Sequence, residues 1–201
     1  LGANKQREVD FRYYLGLYSV LERLNEEFPD VLFESCSGGG GRFDAGMLYY
    51  MPQVWTSDKT DAIDRLKIQY GTSFLYPVST MGAHVSVCPN HGTARNTPLR
   101  TRGNVAYFGT YGIELDITKM TDEEKQEIKR QIVEFKEYYD LIQNGEYFRL
   151  VSPYDQNKFY TVWEVAKNDK SEALVAAVRH DMEAGFNIYN EDPDDWMIIE
   201  Y

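Results

Sequence analysis

The sequence predicts an α/β chain, with parallel strands joined by helical crossovers over its first 145 residues and antiparallel strands after them. Three observations carry this. Short, wholly apolar runs alternate with amphipathic helical stretches up to Gly145. Thr121-Asp122-Glu123-Glu124 forms a capping box that opens a long helix, and Asn144-Gly145 closes it. Beyond Gly145 strand-like runs follow one another, with a turn signal at Asn168-Asp169-Lys170.

In order, residues 9 to 28 read as a helix whose Phe11, Tyr14, Leu15, Tyr18, Leu21, Leu24 and Phe28 keep a 3.6-residue period. Pro29-Asp30 stops it. Val31-Leu32-Phe33 is a short apolar run of the kind buried on both faces of a sheet. Met47 to Trp55 is a second strand candidate. Residues 60 to 70 read as a helix capped by Asp58 or Thr60 and ended by Gly71. Ser73 to Val78 is a third strand candidate, and Ser79 to about Pro98 a long polar loop carrying His84 and His91. A short helix over 99 to 108 precedes a fourth strand, Gly112 to Ile117. The helix over 121 to 143 presents Ile128, Ile132, Phe135, Tyr139 and Ile142. Tyr147 to Val151, Phe159 to Ala166 and Ala173 to Arg179 complete the strands. A closed barrel and an open doubly wound sheet both fit the first 145 residues. The domain division is 1–145 and 146–201.

The 201 residues suffice for one domain, or one and part of a second. Apolar residues make up 43%, with 16 tyrosines and 10 phenylalanines, which is a core-forming composition. The net charge of −11 repels phosphates and argues against nucleic acid or an anionic membrane as partner. It suits a neutral substrate such as a sugar, and equally a solvated acidic surface. Two cysteines, Cys36 and Cys88, build no disulfide framework, which points to a reducing, cytoplasmic setting. No apolar run reaches the roughly 20 residues of a membrane span. The chain opens on Leu1, so its native N-terminus is expected to lie elsewhere.

Chemistry concentrates between Glu34 and Asp61. Four glycines, Gly38 to Gly41, cost backbone entropy, so the chain needs positive φ or close approach there. A plain flexible loop is the alternative, and no Gly-Lys-Ser/Thr follows to make a phosphate loop. Asp58 ends a strand candidate and adjoins a helix start. It reads first as a cap, and second as a carboxylate at the strand end where α/β active sites lie. Glu34 and Asp44 are further candidates, which ion pairs with Arg42 or Arg65 would explain equally well. Cys36 as a nucleophile needs an activating histidine. A pocket-wall role asks less of it. His84 and His91 lack helical zinc spacing, and Cys88 alone completes no site, so neither metal nor cofactor is expected. Trp55 suits stacking on a sugar face or packing in the core.

The run from Leu32 to Arg65 resembles glycoside hydrolase family 36. It reads Leu-Phe-Glu-Ser-Cys-Ser-Gly-Gly-Gly-Gly-Arg-Phe-Asp, then Ala-Gly-Met-Leu-Tyr-Tyr-Met-Pro-Gln-Val, then Trp-Thr-Ser-Asp-Lys-Thr-Asp-Ala-Ile-Asp-Arg. Met81-Gly-Ala-His-Val-Ser, Pro89-Asn-His, Arg102-Gly-Asn-Val-Ala and Gly112-Ile-Glu-Leu-Asp extend the likeness, which covers about residues 8 to 190. The Trp-x-Ser-Asp-x-Thr-Asp stretch is its most specific part. Gly92 departs from the glutamine expected after His91.

The resemblance implies the C-terminal half of a (β/α)₈ barrel followed by part of an antiparallel β domain. It implies retaining hydrolysis of terminal α-galactosides of the melibiose and raffinose type by two carboxylates. Asp58 is then the general acid/base, with its pKa raised by burial and a neighbouring carboxylate. Cys36, Gly39 and Ser57 line the galactose pocket, and Arg42 and Asp44 shape the loop. The family's nucleophile belongs to an upstream Lys-Trp-Asp-type strand end that these residues lack. The chain alone is therefore expected to be inactive, with two open sheet edges. The whole enzyme is expected to form a homo-oligomer such as a tetramer. Alternative expectations are a non-catalytic sugar-binding or scaffolding fragment, and a relative that acts on α-N-acetylgalactosaminides or transfers galactose.

Overall fold

The computed structural model describes residues 5–155 and 159–180. Helix α1 (Gln6–Glu27) leads into strand β1 (Glu34–Ser35), a glycine turn α2 (Ser37–Gly40) and a short helix α3 (Ala45–Tyr50). Strand β2 (Gln53–Trp55), helix α4 (Ala62–Thr72), strand β3 (Met81–Ser86), helix α5 (Leu99–Tyr107) and strand β4 (Thr110–Glu114) follow. Helices α6 (Asp122–Glu137) and α7 (Tyr139–Asn144) precede strands β5 (Glu146–Val151), β6 (Tyr160–Ala166) and β7 (Ala173–Arg179).

β1 to β4 form one parallel sheet in the order β1-β2-β3-β4. Each strand lies beside the next in sequence, with no reversal of winding. Alternation along β3 sorts its side chains by face. Ala83 and Val85 pack with Ala106 of α5 and Ile128 of α6, beneath the helices. Gly82, His84 and Ser86 therefore lie on the other face. Trp55 shares that face and packs against His84.

The second sheet is antiparallel, in the order β5-β6-β7. The cross-strand pairs Trp163–Ala176, Val165–Leu174 and Thr161–Val178 occupy its inner face. The apolar members of these pairs pack with Phe108, Phe135, Leu141 and Ile142, so one core joins the second sheet to helices α4 to α7. Arg149 ties β5 to the end of α4, its Nε donating to Ser73 Oγ at 2.8 Å.

Several expectations change. Val31-Leu32-Phe33 is not a strand; Val31 and Leu32 are exposed, and pairing begins at Glu34. β1 is an edge of the sheet and has no neighbour beyond it among the described residues, so nothing there buries these side chains. Met47 to Trp55 is two elements, because Asp44 caps α3 and the strand waits until Gln53. Ser73 to Val78 is the frayed end of α4 and its turns. The third strand lies instead at Met81–Ser86, inside the stretch read as a loop. Its Gly82, Ala83 and Ser86 are buried although the run is not strongly apolar.

The predicted helices over 9–28, 60–70, 99–108 and 121–143 all form, but the last breaks at Tyr138 into α6 and α7. Its capping box is present in full, between Thr121 and Glu124. Tyr139 is half exposed, whereas Gln131 is fully buried on the packing face of α6. On α1, Leu21 is buried while Phe11, Tyr14, Leu15 and Phe28 stay exposed. The period there predicts the helix correctly but finds no partner for most of its stripe.

Candidate active site

The carboxyl end of the parallel sheet gathers the chain's unusual residues. The turn after β1 carries four successive positive φ angles, 53° at Ser37, 68° at Gly38, 75° at Gly39 and 85° at Gly40. This is one turn of left-handed helix, closed by the Gly40 amide donating to the Cys36 carbonyl at 2.8 Å. Side chains with Cβ resist that geometry, which accounts for the glycine run.

Close approach accounts for the rest of the run. A Cβ on Gly39 would lie 2.8 Å from the Asp58 amide nitrogen and 3.3 Å from its Oδ2. A Cβ on Gly40 would lie 2.6 Å from the Thr56 carbonyl oxygen. The left-handed turn thus sits directly on the residues that end β2.

Asp58 is not the cap of α4. Asp61 takes that place, its Oδ1 accepting from the amides of Ile63 at 2.9 Å and Asp64 at 3.1 Å. Thr93 Oγ1 and Arg95 hold Asp61 further. Burial by itself would raise the Asp61 pKa. The hydrogen bonds from Thr93 and the Asp64 amide and the charge of Arg95 outweigh it, and the carboxyl is held below its usual value. Asp58 is left exposed at the strand end, its Oδ1 accepting the Trp55 indole N–H at 3.0 Å.

Around this pair lies a charged group drawn from three further elements. The guanidinium of Arg65, buried in α4, stands 4.7 Å from the Trp55 ring and donates to the carbonyls of Gly82 and Ser57. Burial lowers its pKa to about 10, against the pull of Glu114, so it stays cationic at neutral pH. His84 lies 4.5 Å from the Trp55 ring and 3.8 Å from Glu114. Burial and then Arg65 lower the His84 pKa, so the ring is neutral at pH 7. The Glu114 carboxyl is raised, first by burial and also by the charge of Asp58, against Arg65 and His91.

The expected site residues fall as follows. Asp58 and Gly39 are in contact range of one another. Cys36 is an exposed free thiol at the start of the glycine turn. The Ser57 hydroxyl accepts the Lys59 amide at 3.1 Å, so it shapes the turn into α4. Glu34 is hydrogen bonded by Gln53, Asp44 caps α3 through the Met47 amide, and Arg42 donates to Tyr13. The ion pairs that Arg42 and Arg65 offered as explanations of Glu34 and Asp44 are replaced by these partners. Sequence reasoning did not place His84 in the site, because β3 was read as a loop, and it did not single out Glu114, because only the pairing of β4 with β3 brings it beside His84. The legible signal was the alternation of His84 with Ala83 and Val85. Among the described residues, no three His, Cys, Asp or Glu side chains group as metal ligands.

The melibiase family model matches residues 1–145. The chain belongs to this family. α-Galactosidase AgaA of Geobacillus stearothermophilus is 56% identical over 179 residues, which are 89% of this chain and 24% of that protein. α-Galactosidase 1 of Pediococcus pentosaceus is 52% identical over 175 residues, 87% of this chain and 24% of that protein. The crystal structure of an AgaA variant, a family 36 α-galactosidase in complex with raffinose, superposes with a TM-score of 0.86 at 55% identity. The match covers 92% of this chain and 26% of that one. The chain thus spans about a quarter of the length of these relatives. The fold is a four-strand part of a (β/α)₈ barrel followed by an antiparallel β sheet.

Proposed function

We propose that this chain is the acid/base portion of an α-galactosidase that removes terminal α-galactose from raffinose-type sugars with retention of configuration. The observation that carries this reading is Asp58: a carboxylate at a strand end, released from capping by Asp61, with one oxygen held by Trp55. It lies where a (β/α)₈ barrel places catalytic residues. The known relatives named above supply the substrate class.

In this mechanism Asp58 donates its proton to the glycosidic oxygen while a carboxylate nucleophile attacks the anomeric carbon and the carbon–oxygen bond breaks. Asp58 then takes a proton from water, which displaces the nucleophile and releases galactose. The nucleophile comes from a part of the whole enzyme outside these residues. The glycine turn closes the galactose pocket, with Cys36 and Gly39 along its wall and Ser57 shaping the loop behind Asp58. The catalytic unit ends at residue 145, and residues 146–201 begin a C-terminal β domain; the switch from parallel to antiparallel pairing supports that boundary, and 156–158 and 181–201 lie outside the described residues.

The galactoside is the partner of the site, and the net charge of −11 speaks against nucleic acid. No helix among the described residues is long and apolar enough to cross a membrane. A cytoplasmic setting is supported by the free thiols of Cys36 and Cys88, and a homo-oligomer by the family resemblance.

The test is hydrolysis of raffinose and p-nitrophenyl α-galactoside by the whole reading frame and by the 201-residue chain, each with and without Asp58→Ala. Activity in the whole enzyme alone, lost on Asp58→Ala, supports the reading. Activity in the 201-residue chain would mean that it carries its own nucleophile.

A further inference from the structure

The indole that touches Asp58 is unusually constrained. Trp55 is 9% exposed. His84 packs against it with ring centroids 4.5 Å apart and the planes tilted by 33°, and the Arg65 guanidinium stands 4.7 Å from the ring centre. On β3, Gly82 leaves room for the ring: a Cβ there would lie 3.1 Å from Trp55 Cε3. With its plane fixed from three sides, the indole N–H is a donor of fixed direction, and it points at Asp58 Oδ1 from 3.0 Å. The two oxygens of Asp58 are thereby made different. Oδ1 accepts from Trp55, while Oδ2 is turned to the glycine loop, 3.3 Å from where a Cβ on Gly39 would stand.

We propose that Trp55 is a positioning residue for the acid/base carboxylate: its N–H holds Oδ1, so that the proton is delivered and later collected on Oδ2, facing the glycine turn. The proposal rests on the acid/base role of Asp58. A group that is acid in one half-reaction and base in the other must present the same oxygen in both. A free carboxylate rotates, whereas this one has a reason not to.

The charges around the pair sharpen the expectation. Lys59 follows Asp58 on its own loop, Arg65 faces Trp55 from α4, His84 from β3 and Glu114 from β4, with His91 acting on Glu114 from the loop after β3. His84 is neutral at pH 7, and Arg65 is engaged with carbonyl groups. The charge of Asp58 helps to raise the Glu114 carboxyl, after burial. The Trp55 N–H is thus the direct donor to the Asp58 carboxylate, at 3.0 Å.

The experiment uses the whole enzyme, with Trp55 replaced by Phe and, separately, by 3-benzothienylalanine, which keeps the ring's shape and exchanges N–H for sulfur. A hydrogen bond to a charged group accounts for a roughly ten- to hundredfold effect. We expect kcat/KM for raffinose to fall by about that factor, because its sugar leaving group needs the proton. For p-nitrophenyl α-galactoside, whose phenolate leaves readily, the fall stays within about threefold. Equal losses on both substrates, or no loss at all, would make Trp55 a packing residue and overturn the proposal. So would failure of the shape-matched analogue to fold. Asp58→Asn is measured alongside. If it keeps full raffinose activity, the acid/base reading itself fails, an outcome distinct from any shown by the Trp55 variants.

Discussion

Gly38 and Gly39 are neighbours with nearly the same backbone, and they should respond to alanine very differently. Their φ angles are 68° and 75°. Each pays roughly 1–2 kcal/mol for a Cβ in left-handed geometry. At Gly38 the cost stops there, because nothing lies within 4 Å of the added carbon. At Gly39 the new Cβ meets the Asp58 amide nitrogen at 2.8 Å and its Cγ at 3.1 Å. Backbone cannot swing aside as a side-chain tip can, so turn and strand end must part by about 0.6 Å to reach an ordinary 3.4 Å contact. A misplacement of about 1 Å costs roughly a hundredfold in rate, so this one costs on the order of ten- to fiftyfold. Both variants are made in the whole enzyme and assayed by urea unfolding and by kcat/KM for raffinose. Gly38→Ala should lose about 1–2 kcal/mol of stability and stay within threefold of full activity. Gly39→Ala should lose more stability and also the catalytic factor. Equal activity in the two variants would show that the contact with Asp58 does not position the carboxylate.

Two further outcomes follow from the packing. Asp61→Ala removes the cap of α4 and leaves Arg95 with the longer contact to Asp64 at 3.6 Å, and should cost about 3 kcal/mol in urea unfolding at pH 7. Because the folded pKa of Asp61 lies below its ordinary 3.8, its contribution is fully present above that value. It fades as the pH falls through the lower folded value, so the stability gap between wild type and variant should close below pH 3.8. A gap that persists in stronger acid would refute the ionic origin. Gly103→Ala should destabilise by about 1–3 kcal/mol, since its Cβ would collide with the side chain of Gln131. That glutamine is fully buried and hydrogen bonded to Leu99 and Tyr111, so it has nowhere to go. Adding Gln131→Ala should recover part of the Gly103→Ala loss, and strictly additive losses would show that the two residues do not compete for the same space.

What the sequence determined was local or carried by rare residue combinations. The capping box, the helical periods and the three antiparallel strands read correctly because each depends on neighbours a few residues away. The glycine run announced positive φ, and Trp-Thr-Ser-Asp placed a carboxylate just after a strand. Tertiary structure decided the rest. Only the packing of α4 shows that Asp61 is the cap and Asp58 is free, since two aspartates three residues apart are equally able to accept amide N–H groups. Only the parallel register brings His84 beside Trp55 and Glu114, residues far apart in the chain. And only burial separates the exposed stripe of α1 from the buried one of α6, because periodicity records which side of a helix is apolar, while contact with other elements decides whether that side leaves water.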